Sequence, residues 1–190
     1  MENLKAYRKE FVTKRGRRVL FRPLREGEDV DELLRFINDL VDEDTFINMT
    51  ERLTREEESK WLSEQLKAIE EGRGFNLLAL HGDRIIADAG VGGLGRRSQH
   101  VGGLGIAISR GFREEGIGSE FMKELITLAR DFLKLKMLFL HVFGNNERAV
   151  HVYQSMGFRE CGRIPGAILY QGEYIDDVLM CLDLSGWESN

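Results

Sequence analysis

Behind the acidic opening of "REGEDVDELLRFINDLV", Val30, Leu33, Leu34, Ile37 and then Leu40 or Val41 recur at steps of three and four. That spacing puts them on one side of a helix, and carboxylates suit the positive end of a helix dipole. A second helix is predicted from about Arg55 to Glu71, with Trp61, Leu62, Leu66 and Ile69 on one side. A third, long helix runs from Gly116 to about Leu135 and buries Phe121, Leu125, Leu128 and Phe132; a short one covers 146–156. The segments between them alternate or run apolar, as strands do. Residues 10–24 read as two short strands around "KRG", and "FNLLALHGDRIIADAGVGGL" as a hairpin around "HGDR". Residues 99–109 are a further strand, "KMLFLHVF" a buried one, and 158–183 two more around "YQGEY". The order β-β-α-α-β-β-β-α-β-α-β-β, with no linker, describes one α/β domain. Gly-Gly-Leu-Gly occurs at 92–95 and again at 102–105, as expected for two antiparallel strands whose backbones approach closely.

Composition changes this picture little. At 190 residues, 42% hydrophobic and 31% charged, the chain can form a core without staples. Cys161 and Cys181 lie in strand-like runs without metal-ligand spacing, so buried free thiols are the first expectation and a pair bridging neighbouring strands the second. The mixed-charge start lacks the apolar core of a signal peptide, and no apolar run approaches a membrane span. A cytoplasmic protein with no membrane partner is expected. The net charge of −5 is uneven: residues 1–18 hold seven Lys/Arg against two Glu. No aromatic-interleaved basic stripe follows, and the acidic body would repel phosphates, so this segment reads as a solvated hairpin and nucleic acid is not expected as a partner.

The candidate chemistry begins at "GFREEGIGSEF". Arg113-x-x-Gly116-x-Gly118 follows a strand and opens a helix, where unpaired N–H groups attract anions. The glycines let a phosphate approach the backbone, and Arg113 adds a charged donor fork. The rival "GVGGLG" at 90–95 matches a dinucleotide pattern in letters only, because turn and strand residues follow it instead of a helix. A Gly-Lys-Ser/Thr phosphate loop is absent from the sequence.

The second motif is Asn146-Glu-Arg-Ala149-x-x-x-Tyr153-x-x-x-Gly157-Phe158, about 30 residues downstream. With both motifs in place, the chain resembles the GNAT-family N-acetyltransferases from about Arg22 to Leu184. The resemblance implies a GNAT-like fold, a mixed and mostly antiparallel central sheet flanked by helices, over residues 19–184. Residues 1–18 form a basic extension leading into a hairpin, and 185–190 a tail. It also implies acetyl-CoA as the acetyl donor, with no metal. The pyrophosphate would sit on the backbone of Glu114, Glu115, Gly116, Ile117, Gly118 and Ser119 beside Arg113. The pantetheine arm would pair with Ile106, Ala107 and Ile108, Asn146 would touch that arm, and Tyr153 would stand near the sulfur. Asn146 is also placed to cap the helix that follows, and Tyr153 also falls on a core-facing side.

An alkyl amine of pKa near 10.4 is neutral in only about one molecule in 2,500 at pH 7, a cost of roughly 4.6 kcal/mol. A base, or a water chain leading to one, is therefore expected. Many relatives carry a strand glutamate where this chain has Gly103. Glu43 is the first substitute and His100 the second. A phenol near pKa 10 can protonate a thiolate near 8.5 for about 2 kcal/mol, so Tyr153 suits the acid role. Residues 42–58 hold seven acidic and two basic side chains, which favours a cationic amine acceptor. The missing strand glutamate leaves a second reading, a sensor that binds acyl-CoA without turnover. The carboxy-terminal strands offer a surface for a homodimer.

Overall fold

A computed structural model describes residues 2–187. The elements are α1 (Glu2–Lys5), β1 (Lys9–Val12), β2 (Arg18–Pro23), α2 (Val30–Asp42), α3 (Arg55–Glu70), β3 (Gly74–His81) and β4 (Arg84–Gly93). They continue with β5 (Val101–Ile108), α4 (Ile117–Asp131), β6 (Met137–Phe143), α5 (Glu147–Ser155), β7 (Arg159–Tyr170) and β8 (Glu173–Asp183). Apart from the one-turn α1, the order is the predicted one. The carboxy-terminal tail expected at 185–190 lies outside the described residues from 188 onward.

Local chemistry sets the helix ends. Asp29 caps α2 by accepting from the amides of Asp31 and Glu32, and Thr54 and Glu57 form a reciprocal capping box on α3. Helix α4 stops earlier than predicted, at Asp131. Lys134, with φ 56°, turns the chain left-handed and releases Met137 into a strand.

The eight strands form one sheet in the order β1-β2-β3-β4-β5-β6-β8-β7. Every pairing is antiparallel except β5 with β6. Glycines face one another across β4 and β5, Gly90 opposite Gly105, Gly92 opposite Gly103 and Gly93 opposite Gly102. Helices α2 and α3 cover one face through Leu33, Phe36, Leu40 and Leu62, against Leu78 and Ile85. Helices α4 and α5 cover the other, where Phe121, Leu125 and Ile126 are fully buried and the Phe21 and Phe121 rings lie 4.7 Å apart. Burial of each such side chain is worth about 1.5–3 kcal/mol, so α4 is fixed firmly against the sheet.

Cys161 and Cys181 correct an expectation, because they are joined, with S–S 2.16 Å and Cα–Cα 6.0 Å. The register of β7 jumps between Glu160 and Gly162, so Cys161 is the extra residue of a bulge. It is an exposed residue beside Cys181 of β8, not a buried thiol.

Candidate active site

The parallel pairing of β5 with β6 lasts only from Val101–Met137 to Gly103–Phe139. Beyond it β5 stays bonded to β4 as far as Ile108 while β6 stays bonded to β8 as far as Phe143. The sheet therefore opens into a V, and the backbone of Ile106, Ala107 and Ile108 has no strand beside it on the β6 side. Ile106 and Ile108 point into the core under α4, and Ala107 points to the α2/α3 face.

The chain leaves β5 and enters α4 through a loop of unusual conformation. Glu114 has φ 66°, which costs a residue with a side chain, and Gly116 caps α4 at φ 88° with no side-chain cap. Among the described residues no protein acceptor meets the amides from Glu114 through Ser119. Alternating left-handed residues at a helix mouth make an anion-binding concavity. A side chain on Gly118 would stand 3.3 Å from Ile108, so this glycine also lets α4 pack tightly on β5.

A cleft of about 270 Å³ adjoins this mouth, lined by Arg15, Arg110, Gly111, Arg113, Glu114 and Arg148. Arg15 comes from the turn between β1 and β2, which is locked to the loop. The Lys14 amide donates to the Glu115 carbonyl at 3.0 Å. The Glu115 carboxylate is fully buried and takes two hydrogen bonds from Arg17, one from Nε at 2.9 Å. Arg17 also stacks 3.7 Å over the Phe112 ring. The amino-terminal hairpin is therefore part of the site's wall. Sequence reasoning missed Arg15, Arg110 and Arg148; the surplus of basic residues in 1–18 was the available signal for Arg15.

The predicted residues fall into three groups. Glu114 to Ser119 form the mouth of α4, Asn146 lies between β6 and α5, and Tyr153 lies on α5. The Asn146 side-chain oxygen accepts from the Ala149 amide at 3.2 Å and caps α5, while its amide hydrogens make no protein hydrogen bond among the described residues. Tyr153 packs beside Phe158, and burial pushes its phenol up to about 12. Against a thiolate near 8.5, that gap raises the cost of proton donation to roughly 5 kcal/mol. The same dry surroundings raise the thiolate and narrow the gap.

Arg113 and Glu43 reach each other. The guanidinium grips the Glu43 carboxylate, with Nη2–Oε2 at 3.0 Å, and Nε donates to the Ile108 carbonyl at 2.8 Å. The fork expected on phosphate thus braces the α2–α3 loop, and Glu43 is held by a permanent cation. His100 is not brought to the V. It precedes β5 at the opposite end, roughly 20 Å along the strand from Ile106 at about 3.3 Å per residue. The acidic field of 42–58 is also smaller than its count, because Arg113 holds Glu43, Arg52 pairs with Asp42, and Glu58 is buried.

Two acidic positions were not anticipated. Asp88 of β4 lies level with Ala107 of β5. Burial pushes its carboxyl up to about 7; the Asn76 hydrogen bond opposes this, the Glu58 charge adds to it, and the Ala89 amide opposes it. The residue keeps a little accessible surface, but Oδ1 is enclosed without a partner. Asp177 of β8 carries a second enclosed oxygen and bonds His141 at 2.8 Å.

Known proteins with the same architecture give this geometry a context. The sequence matches the model of the acetyltransferase (GNAT) domain over residues 18–159. It is 32% identical over 84 residues to the L-amino acid N-acetyltransferase AaaT of Escherichia coli, covering 44% of this chain and 52% of that one. It is 29% identical over 77 residues to the spermidine N(1)-acetyltransferase of the same species, covering 40% and 41%. The chain thus spans about half the length, or less, of these curated relatives. A GNAT-family acetyltransferase from Streptococcus pneumoniae superimposes with a TM-score of 0.77 at 29% identity, over 87% of this chain and 99% of that one. The ribosomal-protein-S5-alanine acetyltransferase of Vibrio fischeri superimposes with a TM-score of 0.81 at 15% identity, over 96% and 100%, a likeness of fold alone. With the family model spanning most of the chain, and the split sheet and helix mouth lying inside the matched segment, this protein belongs to the GNAT family of N-acetyltransferases.

Proposed function

We propose that this enzyme transfers the acetyl group of acetyl-CoA directly to a primary amine: a peptide N-terminus, a lysine, a polyamine or a small amine. The observation that carries the reading is the continuity of two features. The free amides of the α4 mouth and the arginine-lined cleft suit the charged end of the donor, and the unpaired edge of β5 leads from them into the V. The donor's phosphates would rest on Glu114 to Ser119, with Arg15, Arg110 and Arg148 adding charge. The pantetheine amides would extend along Ile106 to Ile108, as an added strand does. Asn146 would donate its free amide hydrogens to the arm. Tyr153, whose hydroxyl has no protein partner among the described residues, would protonate the departing thiolate.

Relatives named for free amino acids and for spermidine place both acceptor classes in the first trial. The test measures release of free coenzyme thiol from acetyl-CoA with spermidine, a free L-amino acid, a peptide with N-terminal alanine and a lysine peptide. Turnover with at least one amine is expected. Tight binding of acetyl-CoA with no turnover on any amine would replace this reading with a non-catalytic acyl-CoA sensor.

A further inference from the structure

The transfer needs a base, and Glu43 is occupied by Arg113. The strand "MLFLHVF" supplies another candidate. Leu138, Leu140 and Val142 are buried in the core beneath α4 and α5, so strand alternation sends Phe139, His141 and Phe143 to the opposite face, the one that α2 and α3 share. His141 keeps 51% of its side-chain surface exposed, and its ring meets Phe139 edge-on at 6.0 Å. Phe139 is the last residue of β6 paired with β5. One side-chain repeat further along, His141 stands where the strands have parted, level with Gly105.

The floor beneath it is bare. A side chain at Gly92 or at Gly105 would meet nothing within 4 Å, so the sheet leaves room for an acceptor beside the imidazole. The imidazole is oriented from behind, since Nδ1 lies 2.8 Å from Asp177 Oδ2, and the Asp177 side chain is only 19% exposed. A carboxylate only accepts hydrogen bonds, so Nδ1 carries the hydrogen and, in the neutral ring, Nε2 keeps its lone pair. Tyr153 packs on the other face of the sheet, with the core under α5. Base and acid thus flank the V from opposite sides.

We infer that His141 is the general base of the transfer and that Asp177 is its positioning residue; the inference rests on the acetyl-transfer reading above. The ammonium acceptor first gives one proton to His141 Nε2, which passes it to solvent; the neutral nitrogen then attacks the thioester carbonyl carbon, forming the C–N bond, and the C–S bond breaks with its electron pair on sulfur. The surplus proton on nitrogen goes to His141 Nε2, the Tyr153 hydroxyl proton goes to the thiolate, and solvent restores both side chains. Asp88, one strand further from the V and closed in at Oδ1, is the competing base.

The test uses the full chain and whichever amine of the panel is turned over fastest. His141→Gln and His141→Asn should each lower kcat about 100-fold or more, with the KM for acetyl-CoA within twofold and the melting temperature kept. Added imidazole should restore part of the kcat of His141→Ala. Asp177→Asn should lower kcat about tenfold at unchanged KM, and the double variant His141→Gln/Asp177→Asn should be no slower than His141→Gln alone, since the carboxylate acts only through the ring. Wild-type turnover with kcat kept within threefold in both His141 variants would overturn the assignment, the more so if Asp88→Asn abolished it. A wild-type chain that acetylates no amine would overturn the transfer reading and this inference together.

Discussion

Asp88 allows a prediction that needs no substrate. Its carboxyl is raised from 3.8 to about 7, chiefly by burial, so the folded state holds its proton more tightly than the unfolded chain does. Stability from that preference is fully present below pH 3.8 and is lost as the pH rises through 7. With those two values, the linkage relation gives a loss of about 2.5 kcal/mol between pH 5 and pH 8. The raised carboxyl of Glu58 acts in the same direction. Glu32, Glu57, Asp131, Glu160, Asp176 and Asp183 are all held below their ordinary values, so the stability they add is lost only in more acidic solution. Asp88→Asn keeps the shape of the neutral carboxyl and cannot ionise. Urea unfolding at pH 5 and pH 8 should show the wild type losing about 2–3 kcal/mol more than Asp88→Asn over that interval. Equal losses in the two proteins would refute the reasoning, because every other titrating group is common to both.

Arg17→Ala leaves the fully buried Glu115 carboxylate without its main counter-charge and should cost about 3–5 kcal/mol in denaturant unfolding, with weaker acetyl-CoA binding because the loop is carried on the same residue. Tyr153→Phe removes a hydroxyl that has no protein partner among the described residues. It should leave acetyl-CoA affinity and melting temperature unchanged while lowering kcat by about 100-fold in the thiol-release assay. Arg148→Ala should weaken acetyl-CoA about fivefold and flatten the dependence of affinity on salt, as read by calorimetry at two ionic strengths; the pair it forms with Glu114 is exposed and offers little resistance to a phosphate.

The features legible in the sequence are those written in local spacing. Period-3.6 stripes located α2 and α3 to within a residue or so, and the repeated Gly-Gly-Leu-Gly foretold two adjacent antiparallel strands, whose register the structure supplies as Gly92 against Gly103. Local capping was also readable, as in the cap that Asn146 makes on α5. What stayed hidden depends on which distant segments meet. Nothing near Arg15 in the chain announces that the β1–β2 turn docks on the loop before α4, because the contact is made by Lys14 and Arg17 with Glu115, about 100 residues away. Arg113 was expected to face phosphate for a similar reason, since its preference for Glu43 depends on how the α2–α3 loop folds over the end of β5. The disulfide ranked only second because a bulge in β7, invisible to period-2 counting, moves Cys161 beside Cys181. His141 read as one polar residue in a buried strand. Only its neighbour across the sheet, Asp177, together with the parting of β5 and β6, marks it as more than that.

The central claim is that a phosphate-bearing donor grips the mouth of α4 and lays its arm along the open edge of β5. Amide hydrogen exchange with and without saturating acetyl-CoA tests this most directly. Slowed exchange should concentrate on the backbone from Glu114 to Ser119 and on Ile106 to Ile108, with β1 through β3 little changed. Unchanged rates in both segments, or protection confined to another part of the chain, would contradict it.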